Sequence, residues 1–335
     1  EIEKYDGSTG NFIAWVKIPS LSSTENTTIH LYYGQSSIIT SQENVTGVWS
    51  NGYVGVWHMD ETSGTVYDST LNANNGNISG GVTQDATGQI DGGDTFNGTD
   101  GKVTVGTTGR PTNNFTFGGW MKTSVTHGID AQSTSGTAGT SGQKYAFGAA
   151  QGGSNAGAGL SVGTNGISVY EHGDGYMPAT AVYSATIGSD WNYIMVVYSN
   201  KCPTIYLNGT AVHTGLTSPR TTVYAPYEIG GGSYGYFNGT FDEVSVSSTP
   251  RTAGWISTTY NNQSSPSTFC GAGSQTPASG SYTINVDGTL TLTDGSISEG
   301  TVNAQGNITQ AGTFDGGSAR LNFANDAVVQ TYTIA

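Results

Sequence analysis

Between Gly47 and residue 268 the chain never sustains an apolar pattern long enough for an ordinary helix bundle. Short alternating runs are cut every few residues by Gly, Asn and Asp turns. Runs of that length can bury one face of a sheet but not the long stripe that helix packing needs, so the segment must be all-β, as a sandwich or barrel. Strands are expected at 53–58, 101–105, 115–122, 144–149, 158–162, 166–171, 191–198, 203–207, 226–230 and 240–246. Trp57, Phe96, Phe117, Trp120, Trp191, Val196, Tyr206 and Phe241 fall on inward phases, and Asn208-Gly209 reads as a hairpin turn. One helix is expected, Ala253 to Asn261, capped by Thr252 with Trp255, Ile256 and Tyr260 as its apolar stripe. The 51 glycines and the 10% of charged residues agree, since both depart from a helical composition in the same direction.

Six motifs occur in order: "GVWHMDETSGTVYDSTLNANNGNISG", "GQIDGGDTFNGTDGKVTV", "FTFGGWMKTS", "GQKYAFGAAQGGSNAGAGLSVGTNGISVYEHGDGYMP", "WNYIMVVYSNKCPTIYLNGTAV" and "GTFDEVSVSSTPRTAGWISTTYNNQSSPSTF". Together they resemble the laminin-G-like, concanavalin A-like lectin/glucanase family. The resemblance implies a concanavalin A-like jelly-roll sandwich over residues 48–268. Upstream, residues 11–18 and 28–34 alternate as two strands, and "AWVKIPSLSSTENTTIHLYYG" resembles the closing half of a β-domain of unknown function found in prokaryotic surface proteins. Residues 1–47 are therefore expected to form a partial N-terminal β-module. Downstream, 269–281 reads as a Gly/Ser/Ala/Pro linker. Residues 282–335 alternate through Tyr282, Ile284, Val286, Leu290 and Leu292, with Asp287-Gly288, Asp294-Gly295 and Asp315-Gly316 as turns, so a small C-terminal β-meander is expected. A start at Glu1 and an end on "VVQTYTIA" suggest modules completed by neighbouring domains or copies through open β-edges.

The formal charge of −14, with ten cations scattered along the chain, excludes a phosphate-binding surface and hence nucleic acid as partner. No apolar run approaches 18 residues, so no membrane insertion is expected. The composition suits an extracellular, cell-surface or virion-surface protein. In such a compartment an even cysteine count suggests a Cys202–Cys270 disulfide, at positions where the family usually carries other residues.

Sandwich glucanases hold paired acids on one strand in an alternating Glu-X-Asp-X-Glu pattern; this chain has no such triplet, and Asp60-Glu61 and Asp242-Glu243 are adjacent rather than alternating. The five histidines lack metal spacing, and His30 and His58 read as strand packing. Calcium is the better metal, because an Asn/Gly-rich acidic loop presents carboxylates, amides and carbonyls together. The resemblance suggests that Asp60, Asp68, Asn72 and Asn75 fold against Asp242, forming a structural calcium site; capping of turns by Asp60 and Asp68 is the alternative. Jelly-roll lectins stack a sugar ring on an aromatic beside a polar side chain. The Gly-hinged loop with Tyr170, His172, Asp174 and Tyr176, and a second loop with Tyr234 and Tyr236, offer both.

These features point to a non-enzymatic extracellular recognition or adhesion module that binds glycan or protein. The alternatives are a structural subunit of a filament, sheath or fibre built by strand addition, and a polysaccharide-degrading enzyme.

Overall fold

A computed structural model describes the chain apart from residues 23, 35–36, 151–152, 272, 274–282, 294, 298–300, 317–319, 324–330 and 335. Two compact units emerge, Glu1–Cys270 and Gly271–Ala335. The structure is all-β, 42% strand and 8% helix, in line with the turn-punctuated sequence.

The first unit is a jelly-roll sandwich of two eight-stranded sheets. One sheet runs Ala179–Tyr183, Gly166–His172, Ala156–Gly163, Tyr145–Phe147, Glu228–Ile229, Lys102–Thr104 and Asn77–Ser79, with Val223–Tyr224 alongside Ala156–Gly163. The other runs Thr210–Thr214, Cys202–Leu207, Asn192–Ser199, Phe115–Lys122, Asn238–Ser247, Gly92–Asn97 and Val82–Thr87, with Tyr53–Trp57 alongside Asn238–Ser247. Between them Trp57, Phe96, Phe117, Phe147, Leu160, Val196 and Phe241 form one buried core. Trp120, expected in that core, faces outward with Tyr193, Met195 and Ile256. Trp191 and Tyr206 pack against the same outer cluster. The helix Ala253–Ser264 covers this cluster, with Thr252 Oγ1 accepting from Trp255 N at its start and Gln263 Oε1 accepting from Trp120 Nε1 at 2.7 Å. The helix thus gives the outer tryptophan both its cover and its polar partner.

The strand Asn238–Ser247 positions the acidic residues. Its first half pairs with Gly92–Asn97 and its second half with Tyr53–Trp57, and the register shifts between Asp242 and Ser245. Glu243 takes φ +53° at this irregularity. A bulge of this kind breaks alternation. Asp242 and Glu243 are consequently both buried, where a regular strand would send them to opposite faces.

Residues 1–47 differ from the expected pair of strands. A hairpin of Ile2–Asp6 with Asn11–Ala14 forms instead, and the described residues from 15 to 44 belong to no strand. Ile29, Leu31 and Tyr33 do alternate, but they find no partner strand and stand 59–67% exposed. Alternation marks a strand only where a second strand supplies the hydrogen bonds.

The second unit corrects the expected meander. Thr283–Val286 pairs in parallel with Thr301–Ala304, which pairs in parallel with Arg320–Phe323; Leu290–Leu292, Ile308–Gln310 and Tyr332–Ile334 form a second parallel stack. Among the described residues adjacent strands in the chain do not form hairpins; the pairing joins residues 18 to 24 apart, as Thr283 to Thr301 and Ile308 to Tyr332. This is a parallel solenoid, with Asp287-Gly288 at a corner rather than in a hairpin. Its small core contains Leu292, Ala304, Ile308 and Phe314, and Asn303 Nδ2 donates to Asn285 Oδ1 across coils. Tyr282, Asp294 and most of the expected linker and terminal strand lie outside the described residues.

Candidate functional site

The N-terminal hairpin is fixed to the sandwich by a buried imidazole. His58 follows the strand Tyr53–Trp57 and is 6% exposed; its Nδ1 lies 2.9 Å from Glu243 Oε1, and its Nε2 lies 3.3 Å from Glu1 Oε2. Glu3 Oε2 is 3.6 Å from the same Nδ1. Trp15 stacks on the ring at 5.5 Å and 25°, and Trp49 packs at 5.5 Å. Burial by itself would lower the His58 pKa, but the carboxylates of Glu243 and Glu1 outweigh it and hold the ring protonated well above its ordinary range. Glu3 moves upward because it is buried. Glu3, His58 and Glu243 are the one trio of ligand-type residues with all donor atoms within 4.8 Å among the described residues. The 2.9 Å separation is a hydrogen-bond length, and both ring nitrogens face carboxylates, so the trio is an ion pair that closes a domain contact. His58, read as strand packing from the sequence, is the hub of this contact. The signal was the nearby acids on a strand-end histidine, visible only once Glu1 and Glu243 are brought together.

Of the expected calcium residues, Asp68 and Asn75 meet in one hydrogen-bonded turn. Asp68 is saturated as a turn cap: Oδ1 accepts from Val56 N and Thr70 N, and Oδ2 accepts from Thr70 Oγ1 and from Asn74 N at 2.7 Å. Asn75 Oδ1 is taken by Asp68 N at 2.9 Å. Asn72 Nδ2 donates to Val54 O. Asp242 Oδ2 accepts from Gln89 N and Ile90 N at 2.7 and 2.8 Å, and burial pushes its acid up to about 7. Each Asp68 oxygen accepts two hydrogen bonds and so has no lone pair left for a cation, whereas Asn75 Oδ1 accepts one and Asp242 Oδ1 is buried without a hydrogen-bond partner among the described residues.

The expected disulfide is not formed; both cysteines are free thiols. Cys202 sits opposite Ser199 with Sγ donating to Gly215 O at 3.4 Å. The Ala253–Ser264 helix instead packs at the other end of that strand, where Ser257 and Tyr260 crowd Gly209. Cys270 is exposed beyond the helix.

The loop after Gly166–His172 is mostly interior. Tyr170 is fully buried, and its hydroxyl donates to Asp130 Oδ2 at 2.6 Å. Tyr176 is 6% exposed, capped by Arg220 at 3.9 Å from its ring centroid, and its hydroxyl points at Glu171 Oε2. Glu171 itself is sealed between the sheets, where it accepts from Tyr198 at 3.1 Å and from Ser218. Burial drives its acid up to about 7. The stacking face that Tyr176 was expected to offer is therefore occupied. What reaches the surface is Asp174 and half-buried His172, edge-on to Tyr234 at 5.2 Å, while Tyr236 packs close to Gly231. Tyr176→Ala is expected to lower stability by about 3 kcal/mol, as truncations of buried aromatics do. His172→Ala should leave it nearly unchanged, both read from urea unfolding.

An open cleft of about 610 Å³ lies elsewhere, between the Thr62–Thr65 loop and the strands Asn77–Ser79 and Val82–Thr87. Thr62, Ser63, Thr65, Asn77, Thr83 and Gln84 line it with hydroxyls and amides, and Ile78 and Val82 add apolar surface. Gln84 Nε2 is buried without an acceptor among the described residues. Sequence reasoning missed this cleft because Ser, Thr and Asn are everywhere in the chain; only the fold of the 62–65 loop against residues 77–84 gathers these particular ones.

Residues 97–257 match the concanavalin A-like lectin/glucanases superfamily, and residues 1–76 match a domain of unknown function, DUF2341. No curated protein matches the chain. Among solved structures, it is similar to domain 4 of a GH43 extracellular arabinanase from Geobacillus stearothermophilus in complex with arabinotriose, at 15% identity over 61% of this chain and 96% of that one, TM-score 0.40. It is also similar to the binding domain of Paraclostridial Mosquitocidal Protein 1, at 14% identity over 64% and 53%, TM-score 0.48. A third is the botulinum neurotoxin serotype D ligand binding domain in complex with N-acetylneuraminic acid, at 10% identity over 66% and 53%, TM-score 0.46. The chain thus spans about half of the two toxin domains.

Proposed function

With residues 97–257 a concanavalin A-like lectin/glucanase domain, we propose that this chain is a non-enzymatic, extracellular glycan-recognition module whose saccharide lies in the cleft of Thr62–Thr65, Asn77 and Gln84. The cleft itself carries the reading. Its hydroxyls and amides match sugar hydroxyls, Ile78 and Val82 suit the C–H face of a pyranose, and the buried Gln84 Nε2 supplies a donor with no acceptor in the chain. Binding is favoured over hydrolysis because the lining holds no carboxyl, whereas glycosidases flank the scissile bond with two. Among the described residues no helix is long and apolar enough to cross a membrane. The formal charge of −14 agrees with this reading over a nucleic-acid one, and Lys102 on Glu228, Arg251 over Tyr53 and Arg220 over Tyr176 lie apart from one another in the sequence.

The test is a glycan array followed by titration of the best saccharide. Gln84→Ala and Asn77→Ala are each expected to weaken binding roughly tenfold, the cost of one lost polar contact, with melting unchanged. Failure of every saccharide to bind, or variants that bind like the parent, would overturn the assignment; shortened products on incubation would make the chain an enzyme.

A structural role by strand addition is the second reading. Arg320–Phe323 and Tyr332–Ile334 each pair on one side only among the described residues, which leaves edges of the kind that recruit strands. Mass in solution distinguishes the readings, since a monomer excludes self-assembly through these edges.

A further inference from the structure

Arg251 is a buried cation without an acid. It precedes the helix Ala253–Ser264, is 7% exposed, and takes part in none of the ion pairs formed among the described residues. The rings of Tyr53 and Trp255 clasp its guanidinium, with centroids 4.6 and 4.3 Å from Cζ, and Nη2 donates to Asn51 O. Its Nε–H is buried with no acceptor among the described residues. Ring faces attract a guanidinium, but neither they nor one carbonyl satisfies this donor or neutralises the charge, and a buried cation left so is costly.

Arg251 lines a small cavity of about 10 Å³ between the outer sheet face and the helix. The strands explain why the sheet is hollow here. Ser245 pairs with Gly118, and Gly118 with Met195, so little side chain fills the floor beneath Trp255 and Ile256. A side chain at 118 is barred, since a Cβ there would stand 2.0 Å from Ile194 O. Of the lining hydroxyls, Thr116 Oγ1 and Ser247 Oγ already donate, to Thr249 O and Gly52 O. Those of Tyr193 and Ser245 form no hydrogen bond among the described residues. One guanidinium N–H and two hydroxyls are thus brought to one cavity whose lining has no carboxyl.

We propose that this cavity binds one monatomic anion of the halide class, of which chloride is the common member, held by Arg251 Nε–H and the hydroxyls of Tyr193 and Ser245. The wall supplies a positive charge and spare donors, which is what an anion needs. A volume of about 10 Å³ is roughly one water-sized sphere, so phosphate, sulfate and carboxylate groups are too large. Water is the neutral competitor; it would satisfy the donor and leave the charge. Arg251 and Trp255 come from the helix side, while Tyr193 and Ser245 belong to the strands Asn192–Ser199 and Asn238–Ser247. A bound anion therefore ties the helix to the sheet, and its effect falls on stability, independently of glycan binding.

The experiment takes the full chain in sodium gluconate and replaces gluconate by chloride at constant ionic strength, which holds general screening fixed. Melting temperature and the chlorine NMR line width are recorded. A saturable rise of several degrees and broadening of the chloride signal are expected, as for any ligand that binds only the folded chain. Arg251→Met should abolish both. Ser245→Ala and Tyr193→Phe should each raise the chloride needed for half the effect roughly fivefold, the cost of one hydrogen bond, and they serve alone should Arg251→Met fail to fold. Equal melting in chloride and gluconate with no broadening makes the guest a water and overturns the site, as does an undiminished chloride response in the Ser245 and Tyr193 variants.

Discussion

His58→Ala is expected to destabilise the first unit by about 3–5 kcal/mol, the range seen when one partner of a buried ion pair is removed. The variant leaves Glu243, Glu3 and Glu1 facing one another with no cation, and it takes away the ring on which Trp15 and Trp49 pack. Because Glu3 lies in the N-terminal hairpin and Glu1 and Trp15 close its open end, its contact with the sandwich should fail first. Urea unfolding gives the magnitude, and limited proteolysis should show residues 1–44 cut before the sandwich unfolds. Adding Glu243→Gln to His58→Ala should recover part of the loss, since it removes the deepest uncompensated charge. A change below about 1 kcal/mol, with proteolysis unaltered, would mean that the hairpin is held by the tryptophans alone.

Stability should fall by about 3 kcal/mol as pH rises from about 4.5 to about 7, through Glu171 alone. Its folded acid is raised to about 7 by burial against an ordinary value of 4.5, so between these values the folded chain holds a proton that the unfolded chain has lost. Stability therefore decreases with pH in that window and levels off above it. Tyr176, Tyr198 and Ser218 surround the carboxyl with hydroxyls, which a neutral amide also satisfies. Glu171→Gln should flatten this part of the profile while staying folded. Urea midpoints at pH 4.5, 5.5, 7 and 8 measure it; a variant profile parallel to the parent's would remove Glu171 from the account. Asp242 and Asp94, also raised by burial to about 7 and about 8, add slopes of the same sign that the Glu171 variant leaves in place.

The sandwich was legible because its information is local. Alternation in runs such as Asn192–Ser199, turns such as Asn208-Gly209 and the Thr252 cap each need only a few neighbouring residues, and a resemblance carried by six motifs placed them in one jelly roll. The same local reasoning misplaced Trp120, since alternation tells which residues share a face but not which face the helix Ala253–Ser264 will cover. It mistook a solenoid for a meander because parallel and antiparallel strands alternate alike; the distinguishing fact is the separation of paired residues, 18 to 24 positions rather than a hairpin's few.

The sequence by itself determined the all-β class, the course of most sandwich strands, the single long helix and an acid excess with too few cations to balance it. Tertiary structure alone decided which acids are satisfied. Asp68, in a loop rich in N–H donors, became a turn cap, while Glu243, turned inward by a bulge 185 residues from His58, became its ion-pair partner. Asp94 was left buried with neither. The fate of a carboxyl depends on the donors and charges within a few ångströms of it, and here those come from strands distant in the chain, so the composition could announce a surplus of acid but not where it would matter.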